Sequence, residues 1–302
     1  MPCKLVWLFD GTNDAFEEDW LNELLGNAVS HSIRCPPGCC EIYENACIVF
    51  NHSVPYEEYF QRYEDANIGF VCIHLSDETL GDTCHYLELA SCKKAFRNYH
   101  HPVFSFHKKV TTFGLGYKKG FTSASAHIPW HESPWYHWCF AGAIHHEKRL
   151  QALQAFGHVE PYLCISTDAQ FNAANGLDTE TYRAMLHSSK FALCPIGQGN
   201  IDTYRFYEAM EAGCIPVAIS STPEQPYKKW GMKGYWHQMF PGEEESLPFV
   251  HGTTWNECVL QVTSLLKDPT KYHSMRAHAV AFWKIWKTKW SLQLRNALGH
   301  DT

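Results

Sequence analysis

The chain has 302 residues, 45% of them apolar and 15% aromatic, enough for two α/β domains of about 150 residues with sizeable cores. A formal net charge of −7, with Lys118-Lys119 and Lys228-Lys229 only as basic pairs, argues against a broad nucleic-acid interface, which needs a basic face. No stretch approaches the roughly 20 apolar residues of a membrane span. The apolar run at residues 5–9 ends at Asp10, short of a signal peptide. Five of the thirteen cysteines (Cys47, Cys72, Cys164, Cys194 and Cys214) lie inside apolar runs and read as small buried hydrophobes. A soluble, cytoplasmic location is therefore expected.

Residues 4–9 read as a first strand closed by Asp10-Gly11. Asp14 and Glu17 have capping-box spacing, and Phe16, Trp20, Leu21, Leu24 and Leu25 form one apolar helix face that Gly26 stops. The loop Cys35-Pro-Pro-Gly-Cys39-Cys40 has no second cluster at zinc spacing and is taken as structural. Residues 46–50 form the next strand, 57–66 a helix carrying Tyr59, Phe60 and Tyr63, and 68–75 a continuous apolar strand ending in Ser76-Asp77. A helix over 84–99 and a strand over 103–106 complete the alternation, which indicates a parallel sheet. Ligands of such sheets sit beyond the carboxyl ends of the strands, so Asp10 and Asp77 fall at the functional edge.

Residues 113–134 are rich in Gly, Ser, Pro and His and read as loops and a linker. A strand over 138–142 then leads to Lys148 and Arg149 at the start of a helix. Further on come a strand at 161–165, a helix at 179–188 and a helix at 255–266. The closing stripe Phe282, Trp283, Trp286 and Trp290, set between lysines, is expected to pack a last helix on the first domain; a membrane-surface helix is the alternative.

Most of the chemistry is concentrated in residues 190–219. An apolar strand at 191–196 is broken by Gly197 and Gly199, whose bare backbone can approach a phosphate. Asp202 or Thr203 can cap a helix running to Gly213, and that helix aims its free N–H groups at the same place. Arg205 and Glu208, three apart, share one face, while Phe206 and Met210 lie on another. A cation for phosphate beside a carboxylate for sugar hydroxyls fits a nucleotide-sugar site. The plainer alternatives are an ordinary βαβ unit with a buried Arg205–Glu208 ion pair, or a site for another phosphate ligand. The two commonest phosphate-loop patterns, G-x-x-x-x-G-K-[ST] and G-x-G-x-x-G, do not occur.

The run Tyr204-Arg205-Phe206-Tyr207-Glu208-Ala209, followed by Gly213-Cys214-Ile215-Pro216-Val217, resembles the signature of the exostosin-like glycosyltransferases. Tyrosine on both sides of the arginine is most similar to the branch that includes ribitol xylosyltransferase. Leu247-Pro248-Phe249, a helix ending at residues 268–272 and Met275-Arg276 agree, so the resemblance covers roughly the C-terminal half. It implies a GT-B fold: two Rossmann-like domains whose parallel sheets face each other across a cleft. The expected division is an acceptor domain at 1–134, a donor domain at 135–280 and a helix at 281–302 crossing back.

The resemblance also implies metal-independent, inverting transfer of a sugar from a nucleotide donor to a glycan. UDP-xylose is the favoured donor. UDP-glucuronate, UDP-galactose, a GDP-sugar, or a non-catalytic glycosyltransferase-like binding subunit are the alternatives. The donor set it implies is Gly142, Lys148, Arg149, Pro195, Gly197, Gly199, Asn200, Thr203, Tyr204, Arg205 and Glu208, with Glu208 on donor sugar or ribose hydroxyls. Asn200 stands where retaining relatives often carry glutamate, which favours inversion. Inversion needs a base for the acceptor hydroxyl. Asp10 is the first choice, because a strand-1 loop in this fold faces the cleft; Asp77 and His131 are the reserves. No D-x-D triplet occurs, and Pro129 breaks the helical spacing of His127 and His131, so neither a metal nor any other cofactor is expected.

Overall fold

The computed structural model describes residues 3–8, 16–36, 38–51, 55–121, 133–144, 147–167, 176–243 and 246–300. Asp10, Asp14 and His131 lie outside the described residues, as do His127, His145, His146 and Asp168. By the clustering of its contacts the chain forms two units, Met1–Gly114 with Lys287–Thr302, and Leu115–Trp286. The boundaries between these units fall after Gly114 and after Trp286.

In the first unit, long apolar runs become strands because a parallel sheet covered on both faces buries every side chain. The elements are β1 (Cys3–Leu8), α1 (Glu18–Leu25), β2 (Val29–Cys35), β3 (Ala46–Asn51), α2 (Glu57–Asp65), β4 (Phe70–Leu75), β5 (Cys92–Arg97) and β6 (Val110–Thr112). All six strands are parallel, in the order β2-β1-β3-β4-β5-β6. α2 presents Tyr59, Phe60 and Tyr63 to the core, where Phe60 stacks on Phe70 with ring centroids 4.8 Å apart. Trp20 of α1 meets Trp290 edge-on at 6.2 Å, Ser291 Oγ donates to Leu24 O at 2.6 Å, and Lys287 pairs with Glu23 at 2.8 Å. Those contacts tie the end of the chain to α1.

Three expectations change here. Residues 84–99 are not one helix: a short 3₁₀ turn at His85–Leu87 precedes strand β5. Pairing with β4, in register from Val71↔Lys94 to His74↔Arg97, overrides the local helical periodicity. Residues 103–106 are not a strand, because Pro102 starts a 3₁₀ turn, Pro102–Phe104, and the strand comes later as β6. β2 went unread because Ser30, His31 and Ser32 are exposed at the sheet edge and look like loop. Glu17, the N-cap of α1, makes no side-chain cap bond.

The second unit comprises β7 (Tyr136–Gly142), α3 (Glu147–Phe156), β8 (Tyr162–Ser166), α4 (Thr179–His187), β9 (Ser189–Leu193), α5 (Tyr204–Glu211), β10 (Ile215–Ile219), α6 (Tyr235–Met239), β11 (Val250–Gly252), α7 (Trp255–Lys267) and α8 (Pro269–Ala297) as far as Trp286, the rest of α8 belonging to the first unit. Its five parallel strands run β11-β10-β9-β7-β8. Asp178 and Thr254 cap α4 and α7, each accepting an N–H from the first turn. Residues 268–272 begin the last helix instead of ending one, since Pro269 needs no N–H partner at its first turn. Phe282, Trp283, Trp286 and Trp290 are all buried, so the stripe is packing and not a membrane face. The thirteen cysteines are free thiols. Among the described residues, no helix is long and apolar enough to cross a membrane.

Candidate active site

The order of the second sheet fixes where a ligand can bind. From β7 the chain moves outward to β8, then crosses back to β9 on the other side of β7. The crevice beyond the carboxyl ends of β7 and β9 is therefore the switch point at which open α/β sheets bind ligands. Gly142 ends β7, and the loop 194–203 leaves β9 for α5.

Arg205, in the first turn of α5, reaches this place. Its Nε–H donates to Ala141 O at 2.8 Å, and its guanidinium lies 5.2 Å from the centre of the Phe140 ring. Among the described residues, no further hydrogen bond from its Nη groups is present. Gly142 is required there: at φ +154°, an added Cβ would come within 3.1 Å of Arg205 Cζ and would strike Nη2. Arg149, expected to face phosphate, is instead buried and bonded to the loops on both sides. Its Nη1 donates to Ala143 O at 2.9 Å and its Nε to Ile196 O at 3.3 Å. Lys148 lies beside it in sequence and pairs with Glu224 at 2.9 Å.

The loop is folded tightly on itself. Gly197 N–H donates to Asn200 O at 2.9 Å, and Asn200 Oδ1 accepts from Asp202 N–H at 3.1 Å, so the Asn200 side chain shapes the turn. Pro195 and Gly197 are buried, whereas Gly199 and Tyr204 are partly exposed. The cap of α5 differs from the expectation. Thr203 holds the N-cap position without a side-chain cap bond, and its buried Oγ1 has no partner among the described residues. Asp202 does not cap either; its Oδ2 accepts from the Tyr207 and Tyr235 hydroxyls, both at 2.9 Å. Neither Thr203 nor Asp202 therefore caps α5 with its side chain, and the Phe206 N–H donates to Thr203 O at 3.1 Å.

One turn along α5, Glu208 is buried, and its Oε1 accepts the Lys118 N–H at 3.2 Å. Burial holds its carboxyl above the usual range; the Lys118 N–H, the charges of Arg205 and Lys118 and the Tyr182 hydroxyl act the other way. Among the described residues, no ion pair joins Arg205 to Glu208, so the structural ion-pair alternative does not hold. Lys118 and Tyr182 escaped the sequence reading because they reach Glu208 from 90 and 26 residues away, with no local motif.

Of the base candidates, Asp77 is described, and its carboxylate is engaged internally. Oδ2 takes Arg97 Nη2 at 2.7 Å and Oδ1 takes Gly81 N–H at 2.8 Å, with the side chain 2% exposed. It does not reach an incoming hydroxyl. His74, Asp77 and Cys84 form the one group of metal-ligand type among the described residues. The Arg97 guanidinium already lies among them, donating also to Cys84 Sγ at 3.1 Å and to Tyr86 at 2.8 Å. Its fixed positive charge fills the place a cation would take.

Two parallel-sheet α/β units, the second carrying a cation and a buried carboxyl at its switch point, have the architecture of the GT-B class of fold. Two solved structures share it across the chain. An α1,3-fucosyltransferase has a TM-score of 0.52 at 12% identity, over 100% of this chain and 92% of that one. Anabaena HepE, solved in complex with UDP-glucose, has a TM-score of 0.56 at 9% identity, over 98% and 99%. Residues 117–300, more than half of the chain, match the family described as the RXYLT1 C-terminal domain. The chain belongs to that family, within the exostosin-like glycosyltransferases. Exostosin-1b of Danio rerio is 42% identical over 52 residues, 17% of this chain and 7% of the relative. Exostosin-1 of Drosophila melanogaster is 36% identical over 62 residues, 20% of this chain and 8% of the relative. The chain thus matches less than a tenth of the length of these relatives.

Proposed function

We propose that the protein is an inverting glycosyltransferase that moves xylose from UDP-xylose to a glycan hydroxyl without a metal ion. The observation that carries this reading is Arg205 held at the carboxyl end of β7, one helical turn from the buried carboxyl of Glu208. A guanidinium placed there can stabilise the charge that grows on the departing diphosphate. Glu208 binds hydroxyls of the donor sugar or ribose. Asp10 is the proposed base and His131 its reserve, both on sequence grounds.

Family membership supports sugar transfer, and the UDP-glucose complex of HepE accords with a nucleotide-sugar donor. Tyrosine on both sides of Arg205 favours xylose, Asn200 favours inversion, and the missing D-x-D triplet favours metal independence. A thermal-shift series in EDTA with UDP, UDP-xylose, UDP-glucuronate, UDP-galactose and a GDP-sugar tests the reading. A ligand at 100 times its Kd adds about 2.7 kcal/mol of stability. UDP-xylose is expected to give the largest shift; no shift, or turnover that strictly requires manganese, overturns the proposal. The rival, a binding subunit without catalysis, draws support from the internal engagement of Asp77. Slow hydrolysis of UDP-xylose without acceptor, abolished by Asp10→Asn while UDP still binds, decides for the enzyme.

A further inference from the structure

Glu208 is held from outside α5 by a tight turn, Lys118-Lys119-Gly120-Phe121. The Phe121 N–H donates to Lys118 O at 3.0 Å, and Gly120, third in the turn, has φ of +86°. A type II turn demands that backbone of its third residue, and glycine adopts it without strain. The same turn delivers the Lys118 N–H to Glu208 Oε1 at 3.2 Å. From α4, the Tyr182 hydroxyl reaches the same carboxyl.

Arg183, the next residue of α4, fixes the turn itself. Its Nη1 donates to Phe121 O at 2.7 Å, and its guanidinium lies 4.8 Å from the centre of the Phe121 ring. Phe121 also meets the rings of Tyr117 and Tyr182, each at 6.2 Å between centroids. The setting is costly for a cation. Arg183 is 4% exposed, and among the described residues it forms no ion pair and its Nε has no partner. Burial opposes its charge, while Glu211 favours it from beyond ion-pair distance. A guanidinium buried without a carboxylate adds little to stability, because desolvation offsets its bonds. Its use lies in what it positions.

We infer that Arg183 is a positioning residue, which on the transferase reading above acts through the 118–121 turn to hold the Glu208 carboxyl ready for hydroxyls of the nucleotide sugar. With one oxygen oriented by the Lys118 N–H, the carboxyl meets the ligand already ordered, and that ordering need not be supplied on binding. Tyr182 and Arg183 are neighbours on one helix, so α4 sets both the carboxyl and the turn that reaches it. A lysine at 183 can still donate to Phe121 O, whereas a methionine fills similar space without a donor.

The test compares the full chain with Arg183→Met, Arg183→Lys and Gly120→Ala. An added Cβ at Gly120 meets nothing within 4 Å, so Gly120→Ala disturbs the turn through its backbone alone. Calorimetry is expected to show UDP-xylose bound about 3- to 10-fold more weakly by Arg183→Met and Gly120→Ala, the effect of one misaligned hydrogen bond, with Arg183→Lys near wild type. Hydrogen exchange at the Lys118 amide, followed without ligand, should quicken in the same two variants. The urea midpoint of Arg183→Met should stay close to that of wild type, because removing a buried charge offsets the lost carbonyl bond. An affinity loss that tracks a lowered midpoint and that lysine does not restore marks a structural arginine and overturns the inference. If wild type binds UDP-xylose and both weakened variants match it, or if Lys118 exchange is unchanged in both, the inference alone falls. If wild type does not bind UDP-xylose, the transferase reading falls and this inference with it.

Discussion

Arg205 and Glu208 lie one turn apart on the same helix, and their surroundings assign them different work. Arg205 is partly exposed and, among the described residues, anchored by a single Nε–H bond to Ala141 O, so its truncation leaves no unsatisfied buried group there except that carbonyl. Arg205→Ala should therefore unfold at nearly the wild-type urea midpoint and bind UDP about 10- to 100-fold more weakly, the loss of a charged hydrogen bond of roughly 1.5–3 kcal/mol. Titration calorimetry with UDP checks this; equal affinity with lowered stability would mark a structural arginine. Glu208 is a buried acid whose folded pKa lies above its ordinary value of 4.5, chiefly through desolvation. The folded state then keeps a proton that the unfolded chain has released. Stability contributed by this group is full below 4.5 and is lost as pH rises through the raised folded value. Glu208→Gln should flatten that decline, seen in urea midpoints measured from pH 4.5 upward. Identical pH slopes would mean the carboxyl is solvated.

α5 illustrates what an element needs to hold a site. Its rear face is fixed by Phe206, which stacks on Trp236 at 3.8 Å and meets Phe249 edge-on at 4.8 Å. Trp283 packs on Tyr207 at 5.5 Å and donates its indole N–H to Glu211. With the rear face locked, the front face carries Arg205 and Glu208 without needing their bonds for helix stability. Phe206→Ala should cost about 3–5 kcal/mol in urea unfolding, since a fully buried ring leaves a cavity. The contrast with Arg205→Ala is the measurement of interest: one variant loses stability, the other loses ligand. Arg149 belongs to the same scale, because its bonds to Ala143 O and Ile196 O join the loops after β7 and β9.

At the scale of the whole molecule, each unit contains a histidine that burial keeps neutral. His100 in the first unit and His251 in the second are both pushed down to about 4 from 6.5, in each case by desolvation first and a neighbouring histidine second. The unfolded chain takes up these protons more readily. The stability they confer is thus complete above pH 6.5 and is lost as pH falls from there to about 4, by up to roughly 3 kcal/mol per histidine. Unfolding of His100→Gln and His251→Gln at pH 7 and pH 4.5 checks this, each substitution being expected to reduce the acid sensitivity of wild type. Equal acid sensitivity in both variants would place the labile groups elsewhere.

The sequence alone determined the α/β class, the strand–turn–helix–strand unit around α5 and the pairing of Arg205 with Glu208 on one helix face. These depend on local periodicity, glycine placement and helical spacing, which residues a few positions apart specify. Tertiary structure decided what depends on distant partners. Residues 92–97 are a strand because β4 and β6 flank them, although their own periodicity is helical. Arg149 is a brace because two carbonyls from separate loops converge on it. Asp77 stands at a strand end, as read, but Arg97 from the next strand engages its carboxylate. Lys118 and Tyr182 join the site only because packing brings them to Glu208. A side chain's type and face are written locally; whether it is available for chemistry depends on which partners the folded chain brings to it.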